Sequence, residues 1–164
     1  MFARRRRRGG LWRWLGALAL LLVFGVVGVS VYVGWSLSHA EPKPVDRTPA
    51  ELGLTYEAVE FPATDGVVVR GWFLPGAPVE DADGAVAASG TIILAHGFRG
   101  NRLEPGVPAL ELARALVGEG FNVLMFDFRN HGESDGDVTT LGYHEVKDVI
   151  GAVQWLRPER AAQA

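Results

Sequence analysis

The sequence has 164 residues, with 16 Lys and Arg against 19 Asp and Glu and a formal net charge of −3, a length that holds one globular domain and a tail. The charge is unevenly spread: residues 1–40 carry six arginines and no acid, and the remainder holds ten basic against nineteen acidic side chains, a net of −9. An acidic domain repels polyphosphate, which excludes nucleic acid as a partner. With no cysteine, these residues form no disulfide, thiolate zinc site or thiol nucleophile.

Residues 1–13, with Arg4 to Arg8 in a row, form a basic tip that suits an anionic membrane surface. Residues 14–38 contain no charge, and about 20 apolar residues are enough to cross a bilayer. Their thirteen Leu, Val and Phe residues favour insertion by about 5 kcal/mol in total, at roughly −0.4 kcal/mol each. Trp12, Trp14, Tyr32 and Trp35 lie near the two ends, where amphipathic rings prefer the interface, and the arginines hold the N-terminus on the cytoplasmic side. The expectation is a single-pass transmembrane anchor in the plasma membrane, with the lipid bilayer as partner and the rest of the chain outside the cytoplasm. Two alternatives are a cleaved signal peptide, because Ser38-His39-Ala40 resembles a cleavage site, and a buried core helix. The long apolar run argues against the first, and its length and Arg cluster against the second. Residues 39–53 contain Pro42, Pro44 and Pro49 and read as an extended spacer.

Residues 54–164 read as the domain. Thr55 to Pro62 and Val67 to Leu74 are β-like runs, and Asp65-Gly66 between them signals a hairpin turn. In the second run Val67, Val69, Gly71 and Phe73 share one face, and Val68, Arg70, Trp72 and Leu74 the other. An acidic, Gly- and Ala-rich loop covers Gly76 to Gly90. Thr91 to Ala95 and Phe121 to Phe128 are continuous apolar runs that suit strands buried on both faces. Between them Pro108 to Val117 reads as a helix, with Leu112/Leu116 and Ala113/Val117 at i,i+4. Tyr143, Val146, Val149, Ile150 and Val153 mark a second amphipathic helix, with Thr139 or Thr140 as its cap and Pro158 as its stop. A hairpin followed by strand, helix, strand, helix predicts an α/β sheet, antiparallel at one edge and parallel inside.

Two motifs follow the apolar strands. His96-Gly97-Phe98 comes directly after Ala95, and Asp127-Phe128-Arg129-Asn130-His131-Gly132-Glu133-Ser134 ends the next strand. With these the sequence resembles the α/β-hydrolase superfamily, in particular its membrane-anchored bacterial serine hydrolases, from about Thr55 to Pro158. The resemblance implies that His96-Gly97 opens the oxyanion loop, that Gly97 lets the backbone turn sharply, and that the Phe98 N–H is one of two oxyanion donors. It assigns Asp127, Arg129 and Ser134, in the D-x-R-x-x-G-x-S pattern, to bracing the loop beneath the site. The family often has Gly where Asn130 and His131 stand.

Gly132-Glu133-Ser134-Asp135-Gly136 also spells G-x-S-x-G. A nucleophile elbow needs a strand running into the first Gly and a helix after the Ser. Here a polar loop precedes Ser134 and Asp135-Gly136-Asp137 follows it, so Ser134 is read as a decoy. His96, Asp127, His131 and Asp135 have metal-ligating types but no i,i+4 His pair or H-E-x-x-H, so no metal or other cofactor is expected. By resemblance the complete protein would hydrolyse an ester, thioester or amide of a small molecule or peptide through a Ser-His-acid triad. These residues are expected to be its N-terminal portion, a partial hydrolase fold ending before the elbow and inactive alone. The alternative is a non-catalytic, membrane-anchored interaction module with a degenerate hydrolase fold.

Overall fold

A computed structural model describes residues 9–77, 79–80, 86–87, 90–104 and 106–157. The chain divides into two compact units, Met1–Ser38 and His39–Ala164. The described part of the first is a single unbroken helix, α1 (Gly9–Ser38), of 30 residues. At 1.5 Å per residue it is about 45 Å long, and from Gly10 it is long and apolar enough to cross a membrane. A helix apolar on every side needs an apolar surrounding on every side. The Arg4–Arg8 run lies outside the described residues.

The second unit begins with a packed segment. A 3-10 turn (Pro49–Leu52) follows Thr48, whose N–H donates to Glu51 Oε1 at 3.0 Å. Pro49 is buried, and Val45, Leu52 and Leu54 pack against the domain core. Asn101 Nδ2 also donates to Pro44 O at 2.9 Å, so part of the 39–53 segment is held against the domain.

β1 (Glu57–Pro62) and β2 (Val68–Leu74) form the antiparallel hairpin, with Val59 opposite Gly71 and Phe61 opposite Val69. In its turn Gly66 takes φ +89°, a conformation open to a residue without Cβ. The acidic loop contributes a separate two-stranded ribbon, β3 (Val79–Glu80) with β4 (Val86–Ala87). The rest of 78–89, and Pro158, lie outside the described residues. Then come β5 (Gly90–Ala95), α2 (Ala109–Gly118), β6 (Phe121–Phe126) and α3 (Val146–Leu156). The main sheet has the order β1-β2-β6-β5, with β6 antiparallel to β2 and parallel to β5. This is the mixed α/β sheet expected from the sequence.

Both faces of the sheet are covered. On one, Val59, Phe61, Val69, Leu124 and Phe126 pack with Ala152 and Trp155 of α3. On the other, Trp72, Leu74, Val123 and Met125 pack with Ala109, Leu110 and Ala113 of α2. The two predicted faces of β2 therefore enter two different cores. Val123, Leu124, Met125 and Phe126 have no exposed surface at all, and each such side chain contributes about 1.5–3 kcal/mol of hydrophobic stabilisation.

Of the two helices, α3 turns differently from the expectation. In α2 the inner residues are Ala109, Leu110 and Ala113, and Leu112 faces outward. In α3 the buried residues are Asp148, Gly151 and Ala152, whereas Tyr143, Val146, Ile150 and Val153 are exposed. Close approach is the reason. A Cβ on Gly151 would lie 2.5 Å from Pro62 O, so α3 meets β1 through its smallest residues. The helix also begins at Val146, later than Tyr143. Thr140 caps the preceding turn, its Oγ1 accepting the His144 N–H at 2.7 Å.

Candidate active site

Ala95 at the end of β5 pairs with Phe126 at the end of β6, so His96 and Asp127 open two adjacent loops. In α/β sheets ligands bind outside the carboxyl ends of parallel strands. The six residues singled out from the sequence, His96, Gly97, Phe98, Asp127, Arg129 and Ser134, belong to these two loops.

The 97–100 turn is closed by Gly100 N–H to Gly97 O at 3.1 Å. Its left-handed residue is Arg99, at φ 59°. Gly97 does not take positive φ, and a Cβ there would meet only the Glu104 carboxylate at 3.5 Å. The sharp turn expected at Gly97 is therefore made two residues later. The Gly97 N–H donates to Glu104 Oε2 in a short bond, and the Arg99 N–H to His131 Nε2 at 3.3 Å. The Phe98 N–H has no acceptor among the described residues.

The second loop is braced by buried charge. The Asp127 carboxylate accepts Arg102 N–H at 2.6 Å, Arg102 Nη2 at 2.5 Å and Glu133 N–H at 2.9 Å. Both side chains of that ion pair are buried, and the Arg102 guanidinium lies 4.6 Å over the Trp72 ring. Gly132 is needed beside it: at φ +50° a Cβ would fall 2.1 Å from Asp127 Oδ2. Asn130, in the family's Gly position, also takes a left-handed φ of 56°, which Asn tolerates better than most residues. Arg129 Nη2 bonds Asp148 at 2.7 Å and Asp65 at 2.8 Å. The Arg129 hydrogen bond holds Asp65 well below the usual carboxylate range. Ser134 Oγ donates to Asp127 O at 2.6 Å and accepts the Arg70 N–H at 2.8 Å. That hydroxyl is buried between two backbone groups, and among the described residues no histidine nitrogen is hydrogen-bonded to it.

Both histidines are fixed through both ring nitrogens. His96 Nδ1 lies 2.8 Å from Gly97 O and must donate, leaving Nε2 to accept the Phe128 N–H at 3.0 Å. Burial pushes the His96 pKa below its ordinary 6.5. His131 Nδ1 lies 2.8 Å from Arg129 O, and the two rings are 5.0 Å apart.

Between the loops lies a cavity of about 280 Å³, lined by His96, Phe98, Phe128, His131, Leu141 and Glu145 among others. Glu145 holds its far wall, accepting Thr140 N–H at 2.6 Å, Thr140 Oγ at 2.8 Å and Gly142 N–H at 2.7 Å. Burial opposes its ionisation, but these bonds prevail and its pKa lies below the ordinary value.

Sequence reasoning missed Arg102, Glu104, Glu145 and Asp148. Arg102 and Asp127 are 25 residues apart, and no local spacing announces such a pair. Glu145 did leave a signal, a carboxylate beside two threonines and a Gly just before an apolar periodicity.

A family model described as X-Pro dipeptidyl-peptidase (S15 family) matches residues 38–163. The uncharacterised protein YfhR of Escherichia coli K12 is 43% identical over 101 residues, 62% of this chain and 32% of YfhR. WAV2 of Arabidopsis thaliana, an alpha/beta hydrolase domain-containing protein, is 30% identical over 145 residues, 87% of this chain and 41% of WAV2. Among solved structures, the Pyrococcus furiosus esterase Pf2001 is similar with a TM-score of 0.59 and 33% identity, over 71% of this chain and 41% of the esterase. The chain spans 32% to 41% of the length of these three relatives.

Proposed function

The chain belongs to the X-Pro dipeptidyl-peptidase (S15) family of α/β-hydrolases, and from that premise we propose that it is the N-terminal part of a membrane-anchored serine hydrolase acting on ester, thioester or amide bonds. One observation carries the proposal. Within the 97–100 turn after β5, the Phe98 N–H alone has no acceptor among the described residues, and it borders a cavity at the carboxyl ends of two parallel strands. An N–H held ready beside a cavity suits the oxyanion of a tetrahedral intermediate, which needs donors aimed where charge develops. Peptidases and esterases share that intermediate, in keeping with the peptidase family model and the esterase neighbour.

The nucleophile, its histidine base and the orienting acid are proposed to come from sequence outside these 164 residues. Three facts support this. Ser134 is engaged at both ends of its hydroxyl. His96 and His131 are engaged at both ring nitrogens. The relatives are more than twice as long as the matched region. The second oxyanion donor would follow the nucleophile. On this reading α1 is the membrane anchor, the basic tip stays in the cytoplasm, and the hydrolase unit meets small-molecule or peptide substrate outside.

A fluorophosphonate probe, which labels activated serines, tests the assignment. The 164-residue chain is expected to remain unlabelled, and the longer polypeptide that contains it to label and to hydrolyse a p-nitrophenyl ester. Labelling of the short chain at Ser134 would refute the assignment.

A further inference from the structure

In the 97–100 turn the polar groups are divided unevenly. Gly97 N–H is held by Glu104, Arg99 N–H by His131 and Gly100 N–H by Gly97 O. Of the four N–H groups of this turn, only that of Phe98 is without an acceptor among the described residues. The turn also contains a strained residue, because Arg99 has a Cβ and sits at φ 59°. A left-handed non-Gly residue is strained and persists only where its surroundings over-determine it. Arg99 lies in no helix or strand, and besides the Gly100 N–H to Gly97 O bond that closes the turn it draws restraint from outside.

His131 is placed to supply it. The Arg129 carbonyl at 2.8 Å can only accept, so His131 Nδ1 carries the proton and Nε2 is left as an acceptor. The Arg99 N–H lies 3.3 Å from that Nε2. The ring is buried, braced by His96 at 5.0 Å, and its own loop is fixed by the Asp127–Arg102 and Arg129–Asp148 pairs. A rigid network thus ends in one acceptor, and that acceptor meets the backbone one residue after Phe98.

We propose that His131 is a positioning residue for the oxyanion loop: through Nε2 it holds the Arg99 N–H in the strained turn and so leaves the Phe98 N–H free at the cavity edge. This rests on the reading of Phe98 as a donor given above. His131 takes no proton from substrate or nucleophile.

The test compares the whole chain, in detergent micelles, with His131→Leu and His131→Gln. Hydrogen exchange at the Arg99 amide is read by NMR, with the Leu124 amide in β6 reporting on global unfolding. In His131→Leu, Arg99 is expected to exchange about tenfold faster, the effect of losing one hydrogen bond, with Leu124 unchanged. His131→Gln keeps an acceptor and is expected to restore protection. Equal Arg99 exchange in wild type and His131→Leu overturns the proposal. If His131→Leu unfolds, Leu124 reveals it, and the nitrogen-15 shifts of His131 in the wild type decide. An unprotonated Nε2 supports the proposal and a protonated one overturns it. Ester hydrolysis by the longer polypeptide is a separate readout. There kcat is expected to fall at least tenfold in His131→Leu, short of the roughly 10²–10³-fold cost of losing a whole donor, with KM little changed and rescue by His131→Gln. Faster Arg99 exchange with unchanged kcat would overturn the donor role of Phe98 and leave the anchor in place.

Discussion

Replacing Gly151 with Ala sets two effects of opposite sign against each other. In a helix interior Ala is better than Gly by about 1 kcal/mol, so propensity alone predicts a more stable protein. At Gly151 the new Cβ would lie 2.5 Å from Pro62 O and 2.9 Å from Ala63 Cα, whereas ordinary contact begins at 3.4 Å. Both atoms are backbone and cannot rotate aside. α3 would have to withdraw from β1 by nearly 1 Å, loosening Ala152, Val149 and Trp155 against the sheet. Overpacking of this kind costs about 1–3 kcal/mol, and a backbone clash belongs at the upper end. The expected net loss is about 2 kcal/mol after the propensity gain. Gly118→Ala is the control: a Cβ there meets nothing within 4 Å, and a gain of up to about 1 kcal/mol is expected. Urea unfolding of the chain in mild detergent, followed by near-UV circular dichroism, measures both. A higher midpoint for Gly151→Ala, matching that of Gly118→Ala, would show that the close approach of α3 to β1 does not govern this helix.

Asp127→Asn leaves the buried Arg102 with only the half-exposed Glu133 and is expected to cost about 3 kcal/mol, whereas Asp135→Ala, at the exposed Arg70 pair, is expected to cost under about 1 kcal/mol; the same urea titration compares them. Burial holds His96 neutral, with a folded pKa below the ordinary 6.5. A denatured chain takes up that proton first, so stability is full above about pH 6.5 and falls as pH drops toward the folded value. Urea midpoints between pH 7.5 and 5 should slope downward in the wild type and less so in His96→Gln. Asp65, lowered mainly by Arg129, adds a second acid loss that begins near its ordinary 3.8. A reporter fused after Ala164 should be active outside the cytoplasm, and a cytoplasmic signal would reverse the proposed orientation of α1.

Strands were more legible than helix faces. Asp65-Gly66 announced the hairpin, and the run Phe121 to Phe128 announced a strand with two buried faces, because turn chemistry and apolar continuity are local properties. The inner face of α3 was misjudged for one reason. Large apolar residues were taken to mark the core side, but α3 packs through Gly151 and Ala152 and sends Asp148 inward to Arg129. Small residues carry no hydropathy signal for contact, and a buried carboxylate looks like surface until its arginine is placed. The site divided in the same way. His96-Gly97 and the D-x-R motif lay side by side in sequence, so the two loops could be found. Glu104, Arg102 and His131 act across the fold, and Arg99 carries a strain that no residue type there would suggest.

β6 has a consequence for how the molecule comes into being. It joins the hairpin on one side and β5 on the other, so neither has its partner until residues 121–126 exist. Gly90 pairs with Phe121, and a ribosome adding about 5–20 residues per second takes on the order of 2–6 s to cover that interval. During it the hairpin emerges with two apolar faces, and β5 with a bare edge. If the N-terminal helix engages the translocon as proposed, those strands reach the far side of the membrane before their shared neighbour does. A chaperone waiting there would meet the hairpin and β5 as separate pieces, and its release would be timed by the arrival of Phe121 to Phe126.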